Sequence, residues 1–427
     1  MRIKHGFFCV FFIAPPLFAD DLYPIKYNPP YVISTMRDYT ENTPLVVMHR
    51  GGWNDKIPEN SAHAFVVANI NGTAMIETDV RLTSDNIPVI FHDSKLGRLS
   101  DVYKFASPED VPFDPMTGFG YNPKISETPW NVVEQLNLLS HPGGTATQAT
   151  IMSVSDFYDF YYENRLNLTV FLEIKDSKAI PILIKMLNED TRDYYHGNGS
   201  GMTLKAKDFT LFKFNVNAYP MPEDYEALFA AQGVPCCYYA LPSYKSNTYS
   251  DFDKKGIDMN ASVNAWAAAT PYTLSVEVGL KTNGGILQDV YDSLYGHTTL
   301  GIFNAVPDLM LANPDYAPGQ LVPDIYHPEY IAASDAFYDG TSGQCCYRLN
   351  DLLSTWQDKA DTQDQRSDVN YIVGTNKTMP AFRVVTTDKS QDMVEAFENA
   401  GFNTRPDTFG QFPGWSVLPL ALPLLFP

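Results

Sequence analysis

The run Met75-Ile76-Glu77-Thr78-Asp79-Val80 has the pattern of an apolar strand that carries two carboxylates. Alternate side chains of a strand share a face, so Glu77 and Asp79 point one way and the apolar residues point the other. Neighbouring carboxylates repel each other and are costly to bury, and a divalent cation would offset both effects. An exposed edge strand would explain the same pattern without any function.

A second strand, Leu172-Glu173-Ile174-Lys175, repeats this pattern. Glu173 and Lys175 share one face, while Leu172 and Ile174 share the other. Charged residues on the inner face of a strand indicate a site, and a purely structural Glu–Lys ion pair is the alternative.

Two histidines each follow an apolar run: His49 follows Leu45–Met48 and His92 follows Pro88–Phe91. The carboxyl ends of barrel strands are where active sites form. Histidine titrates near neutral pH and suits proton transfer. Arg50 adds a planar fork of donors that suits a phosphate group.

From residue 45 onward, apolar runs of strand length alternate with helix-like stretches, which predicts a parallel sheet. The runs are Leu45–Met48, Met75–Val80, Pro88–Phe91, Thr169–Ile174, Phe209–Phe214, Cys236–Leu241, Leu300–Val306 and Phe382–Val385. Eight such runs predict a (β/α)8 barrel over about residues 40–400. Residues 100–150 and 312–370 lack this periodicity and are predicted as insertions, one after the third strand and one before the last. Residues 401–427 form an apolar tail interrupted by prolines.

Composition restricts the class of partner. The chain has 427 residues, is 44% hydrophobic and carries a formal charge of −20. Such a charge is repelled by phosphate backbones, so we expect no nucleic-acid partner. No stretch reaches the ~18 apolar residues of a membrane helix, so we expect no stable membrane insertion. A small phosphate-bearing substrate would need a local cation.

The first 19 residues predict a signal peptide. Arg2 and Lys4 precede an apolar stretch over residues 6–18, and Ala19 offers a small residue for cleavage. We therefore expect export to a periplasm or secretion.

Beyond that segment the cysteines form two adjacent pairs, Cys236–Cys237 and Cys345–Cys346. Adjacent cysteines bridge to each other only with strain, so cross-pairing between the two pairs is predicted. A metal site made of all four cysteines is the alternative.

Several short motifs, in this order and spacing, resemble the glycerophosphodiester phosphodiesterase family. They are His49-Arg50-Gly51, Pro58-Glu59-Asn60-Ser61, Glu77-Thr78-Asp79-Val80, His92-Asp93-x-x-Leu96 and Leu172-Glu173-Ile174-Lys175. The chain departs from the family pattern in the bulkier loop that begins at Trp53, and its nearest match to a late family strand is Gly301-Ile302-Phe303-Asn304.

The resemblance implies a (β/α)8 barrel that hydrolyses glycerophosphodiesters to sn-glycerol 3-phosphate and an alcohol, through a cyclic phosphate. It implies metal ligands Glu77, Asp79 and Glu173, acid–base residues His49 and His92, and phosphate-binding residues Arg50 and Lys175. Oxygen ligands favour one Ca2+ or Mg2+. We expect His92 to be the acid, although either assignment fits the sequence.

Two other interpretations stay open on the sequence. One is a phospholipase D-like relative that acts on lysolipids or sphingolipids, and the other is a catalytically silent exported binding protein on the same barrel. The intact histidines and carboxylates argue against the silent protein. The sequence does not decide the head group or the oligomeric state.

Overall fold

The structure is a computed structural model that describes residues 28–38, 43–304, 310–311, 336–337 and 369–404, apart from short gaps. The gaps are residues 55, 72, 74, 114–118, 141–143, 196–202, 246–247, 281–284, 305–309, 380–381, 389 and 403. The predicted signal peptide, the pair Cys345–Cys346, nearly all of the second insertion and most of the apolar tail lie outside the described residues.

Eight parallel strands close into a barrel, which confirms the predicted (β/α)8 fold. They are β1 Leu45–His49, β2 Met75–Leu82, β3 Thr169–Ile174, β4 Thr210–Asn215, β5 Tyr239–Tyr244, β6 Ser275–Val278, β7 Thr299–Phe303 and β8 Phe382–Thr387. Each strand pairs with the next in the chain, and β8 pairs with β1. The closed ring brings all eight carboxyl ends to one rim.

Helices connect the strands and cover the outside of the barrel. Those described are Pro29–Arg37, Ala62–Ile70, Trp130–Val133, Val154–Glu163, Ala179–Glu189, Ala206–Phe209, Pro222–Gln232, Thr248–Lys255, Met259–Ala268, Gly285–Leu294, Val369–Thr378 and Ser390–Asn399, with 3-10 turns Val102–Phe105 and Ile125–Glu127. The main apolar core fills the layer between these helices and the strands. Among the described residues, no helix is both long and apolar enough to cross a bilayer.

Short strand pairs lie outside the barrel. They are Asn137–Leu139 with Ala146–Thr150, Tyr194–Tyr195 with Thr203–Leu204, and Met310–Leu311 with Ala336–Phe337. The first pair belongs to the predicted insertion over 100–150, which shares a small apolar core around Leu96, Leu99 and Ile125 with the segment before it.

One predicted barrel strand is replaced by another. Pro88–Ile90 pairs antiparallel with β2 and stands outside the ring. The true sixth strand, Ser275–Val278, has only four residues, and its centre carries the charged Glu277. A short run with a charge is a weak strand signal, whereas Pro88–Phe91 is a continuous apolar run.

The first cysteine pair also differs from the prediction. The structure joins Cys236 to Cys237 in a disulfide, with Cα atoms 3.1 Å apart, instead of pairing either with a distant cysteine. Cross-pairing is therefore wrong for this pair in the structure.

A helix that precedes the predicted barrel domain closes the amino-terminal end of the barrel. Val32 and Met36 of helix Pro29–Arg37 pack against a cluster of inward-facing strand residues that includes Leu45 and Phe171. Arg383 of β8 donates to the Thr35 carbonyl at 2.9 Å and so joins the last strand to this helix.

We expect Met36→Ala to lower the free energy of unfolding by about 2–5 kcal/mol, because it leaves a cavity where a buried side chain packed. Met36 is 1% exposed. Chemical denaturation followed by circular dichroism measures the change. The control is Ser34→Ala on the exposed side of the same helix, with an expected effect within about 0.5 kcal/mol. Equal effects of the two changes would show that the helix does not seal the barrel.

Candidate active site

Three carboxylates meet at the carboxyl end of β2 and β3. Asp79 pairs in register with Glu173, and Glu77 lies two residues earlier on the same face of β2. One oxygen from each of Glu77, Asp79 and Glu173 lies within 4.8 Å of the others, and all three residues are buried. The register thus brings together the carboxylates that the alternating pattern placed on the inner face.

This acidic cluster fits a hard cation. Neither oxygen of Glu77 accepts a hydrogen bond from the described residues, although the side chain is fully buried. Burial, and then the charge of Asp79, raises the pKa of Glu77 well above its ordinary value. Only carboxylate oxygens are offered, and such ligands suit Ca2+ or Mg2+. A cation there would supply the partner that the Glu77 oxygens lack.

Asp79 is the best-supported member of the cluster. Asn60 Nδ2 donates to its Oδ2 at 2.9 Å, and Lys175 Nζ lies 3.1 Å from its Oδ1. Burial alone would raise the pKa of Asp79, but Lys175, His92 and Arg50 together hold it well below the ordinary range. Asp79 is therefore ionised and ready to bind a cation.

The first histidine stands beside the cluster. His49 closes β1, and its Nε2 lies 3.7 Å from Glu77 Oε2. Its Nδ1 lies 2.7 Å from Asp388 Oδ1 and donates to it, because a carboxylate can only accept. Trp53 Nε1 donates to the same oxygen at 3.0 Å. The unexpectedly bulky residue of this loop thus orients Asp388, which in turn orients the histidine.

The second histidine has the same kind of partner. His92 Nδ1 lies 2.7 Å from Asp93 Oδ1, and the other oxygen of Asp93 accepts from Arg98 Nε at 2.5 Å. Burial, and then the charge of Arg50, lowers the pKa of His92 well below its ordinary value. In both histidines the bond at Nδ1 leaves Nε2 as the nitrogen that can exchange a proton with a substrate.

The two predicted phosphate-binding residues are placed differently. Arg50 is buried and makes a two-pronged contact with Glu59 at 3.0 and 2.9 Å, while its Nε lies 3.3 Å from Asp79. Lys175 is 18% exposed and bridges Asp79 and Glu173. Lys175 is therefore accessible from the rim, whereas the guanidinium of Arg50 is buried in contact with Asp79.

Three charged residues at this site were not predicted from the sequence: Lys213 on β4, Glu277 on β6 and Asp388 after β8. Lys213 Nζ lies 2.9 Å from Glu277 Oε2 and 3.3 Å from Glu173 Oε2. Lys213 and Glu277 each interrupt an apolar strand with a charge, the same signal that identified Glu77. Asp388 offers no such signal because it stands just beyond its strand.

Comparison with known proteins supports the resemblance in sequence. The model of the glycerophosphoryl diester phosphodiesterase family matches residues 49–222. The chain is therefore similar to that family over less than half of its length. Glycerophosphodiester phosphodiesterase 1 from Bos taurus is 46% identical over 55 residues, which span 13% of this chain and 16% of that protein. The Homo sapiens protein of the same name is 44% identical over 55 residues, which again span 13% of this chain and 16% of that protein. The match thus spans about a sixth of these relatives.

Solved structures resemble the barrel. A glycerophosphoryl diester phosphodiesterase from Parabacteroides distasonis is 17% identical, with 87% of this chain and 92% of that chain covered and a TM-score of 0.47. An Oleispira antarctica phosphodiesterase, solved with the product sn-glycerol-3-phosphate, is 14% identical, with 84% and 99% covered and a TM-score of 0.42. Both scores are below 0.5, so the fold assignment rests on the strand order of the barrel itself.

The family match contains most of the site but not all of it. His49, His92 and the three clustered carboxylates lie within residues 49–222, as does Lys213. Glu277 and Asp388 lie beyond the match. The candidate site is therefore completed by residues from the second half of the barrel, beyond the match.

We expect Glu77→Gln to weaken divalent-cation binding at least ~10-fold without lowering the stability of the metal-free protein. The amide keeps the shape of the side chain and removes one of three buried like charges. Titration calorimetry after chelator treatment measures binding, and chemical denaturation measures stability. Glu109→Gln, the same change at an exposed position, is the matched control and should alter neither. Parental cation affinity in Glu77→Gln would remove Glu77 from the ligand set.

Proposed function

We propose that this chain hydrolyses glycerophosphodiesters to sn-glycerol 3-phosphate and an alcohol, with one divalent cation held by Glu77, Asp79 and Glu173. The observation that carries the proposal is the buried carboxylate cluster with His49 Nε2 beside it at 3.7 Å from Glu77. The match of residues 49–222 to the family model supports the reaction class. The curated relatives match only in part, so the substrate is part of the proposal.

The cation, when bound, neutralises the phosphate and stabilises charge that gathers on its oxygens in the transition state. The three carboxylates would hold it, and Asn60 would keep Asp79 oriented through its bond of 2.9 Å. Lys175, which is accessible from the rim, would turn toward the phosphate as a second positive group. The expected phosphate contact of Arg50 stays a prediction, because its described contacts are with Glu59 and Asp79.

His49 and His92 would move the protons. One Nε2 accepts the proton of the glycerol hydroxyl next to the phosphate, and that oxygen attacks phosphorus. The other donates a proton to the departing alkoxide, and water then opens the cyclic phosphate. Asp388 and Asp93 would fix the ring nitrogens that face the substrate. Burial lowers the pKa of His92, which would suit a base, and its expected role as the acid stays a prediction.

A substrate panel tests the proposal directly. Glycerophosphocholine, glycerophosphoethanolamine, lysophosphatidylcholine and sphingomyelin are each incubated with the protein, with and without EDTA. We expect glycerol 3-phosphate from the first two substrates, loss of activity with EDTA and recovery with added Mg2+ or Ca2+. Turnover of the last two alone would favour the phospholipase D-like alternative. No turnover of any substrate would favour the silent binding protein.

The substrate panel does not test export, which stays a prediction. The segment that predicts it, residues 1–19, lies outside the described residues. Expression with and without this segment, followed by fractionation, tests whether it directs export and whether it is removed.

We expect His49→Ala and His92→Ala each to lose at least ~100-fold in kcat while retaining cation binding, because the carboxylates remain. The double variant should be little worse than the poorer single one, since both histidines act on one transition state. An aryl phosphodiester with a good leaving group should partly rescue only the variant that lacks the acid. That result assigns the two roles.

The control for this experiment is His63→Ala, on helix Ala62–Ile70, which should keep parental kcat on both substrates. Equal responses of the two active-site variants to the aryl substrate would refute a division of roles. Near-parental activity of either variant on the natural diester would make that histidine structural.

A further inference from the structure

Lys213 occupies an unusual position inside the barrel. It is 3% exposed, and its Nζ lies 2.9 Å from Glu277 Oε2, 3.3 Å from Glu173 Oε2 and 3.9 Å from Glu77 Oε1. The ring of Phe303 lies 5.9 Å from the same nitrogen. A buried ammonium with these neighbours cannot turn toward solvent or a substrate, so its contacts are fixed by the fold.

The two oxygens of Glu173 therefore have different environments. Oε2 faces the buried Lys213, whereas Oε1 faces Lys175 at 2.7 Å and Lys245 at 3.9 Å. Lys175 and Lys245 are 18% and 48% exposed, so both can move away when a ligand arrives. Lys213 cannot, which leaves Oε1 as the oxygen free to bind a cation.

Glu277 holds Lys213 in place. Its Oε2 contacts Lys213, and its Oε1 accepts from Ser243 Oγ at 3.0 Å. The backbone register supports the arrangement, since Glu173 pairs with Lys213 and Ser243 pairs with Glu277. Lys213 and Glu277 together add no net charge to the site, so their effect on a cation is mainly geometric.

We propose that Lys213 and Glu277 restrict Glu173 to binding the cation through one oxygen, and that they thereby favour Mg2+ over Ca2+. Ca2+ accepts both oxygens of one carboxylate and six to eight ligands, whereas Mg2+ requires a nearly regular octahedron. The two oxygens of a carboxylate are too close together to fill adjacent corners of that octahedron. The inference rests on the proposed metal site and identifies the residues that select its ion.

The test compares the affinities of Mg2+ and Ca2+ for three chelator-treated full-length proteins by titration calorimetry. They are the parent, the double variant Lys213→Met/Glu277→Gln, which removes the pair without changing net charge, and the control Lys245→Met. We expect the ratio of Ca2+ to Mg2+ affinity to rise ~10-fold in the double variant, the usual size of an effect from outside the ligand set. Lys245→Met removes a nearby positive charge without freeing Oε2, so both affinities should rise and the ratio should stay parental.

Each result decides between named alternatives. A folded double variant with the parental ratio would overturn this inference alone and make the pair a structural filler of the barrel. A parent that binds neither ion would overturn the proposed metal site and this inference with it. If the double variant does not fold, Lys213→Gln, which leaves an uncharged polar group in the barrel, should raise the ratio in the same direction, and a parental ratio there would equally refute the proposal.

Discussion

Mutual repulsion among three buried carboxylates is the constraint around which this end of the barrel is built. The parallel register of β2 and β3 places Asp79 beside Glu173, and Glu77 is buried just below them. Like charges at such distances cannot all stay ionised in a site of low polarity unless cations offset them. Lys175, Lys213 and a bound divalent ion would offset these charges, and Asn60 orients Asp79 through a hydrogen bond of 2.9 Å.

The residues that the sequence could predict are those whose signal is local. Glu77, Asp79 and Glu173 interrupt apolar strands at alternate positions, and a period of two is a property that a single segment displays. Asp388 has no such signal, because its position in the site depends on contact with His49, which lies 339 residues away in the chain. Glu277 had the local signal, but its strand is so short that the strand itself went unrecognised. Contacts across the barrel depend on closure of the ring, which no single segment encodes.

The misassigned strand shows why the barrel could be predicted without all its parts. Pro88–Ile90 is as apolar as a barrel strand, yet it pairs antiparallel with β2. Periodicity reports burial, not the direction of pairing. The error does not change where His92 lies, because the short strand still leads to His92, whose Nδ1 contacts Asp93. A site can thus be anticipated from the ends of strands even when the order of the strands is incomplete.

In the proposed site, a difference in exposure would give two lysines different functions. Lys175 and Lys213 both contact Glu173, but their side chains are 18% and 3% exposed. The partly exposed ammonium can exchange its carboxylates for a phosphate, since water and substrate both reach it. The buried one keeps its carboxylates, since leaving them would strand a charge in the barrel at a large cost in free energy. In the sequence each is a lysine in a strand or just after one, and only the closed barrel distinguishes the residue proposed to contact the phosphate from the one proposed to shape a ligand of the metal.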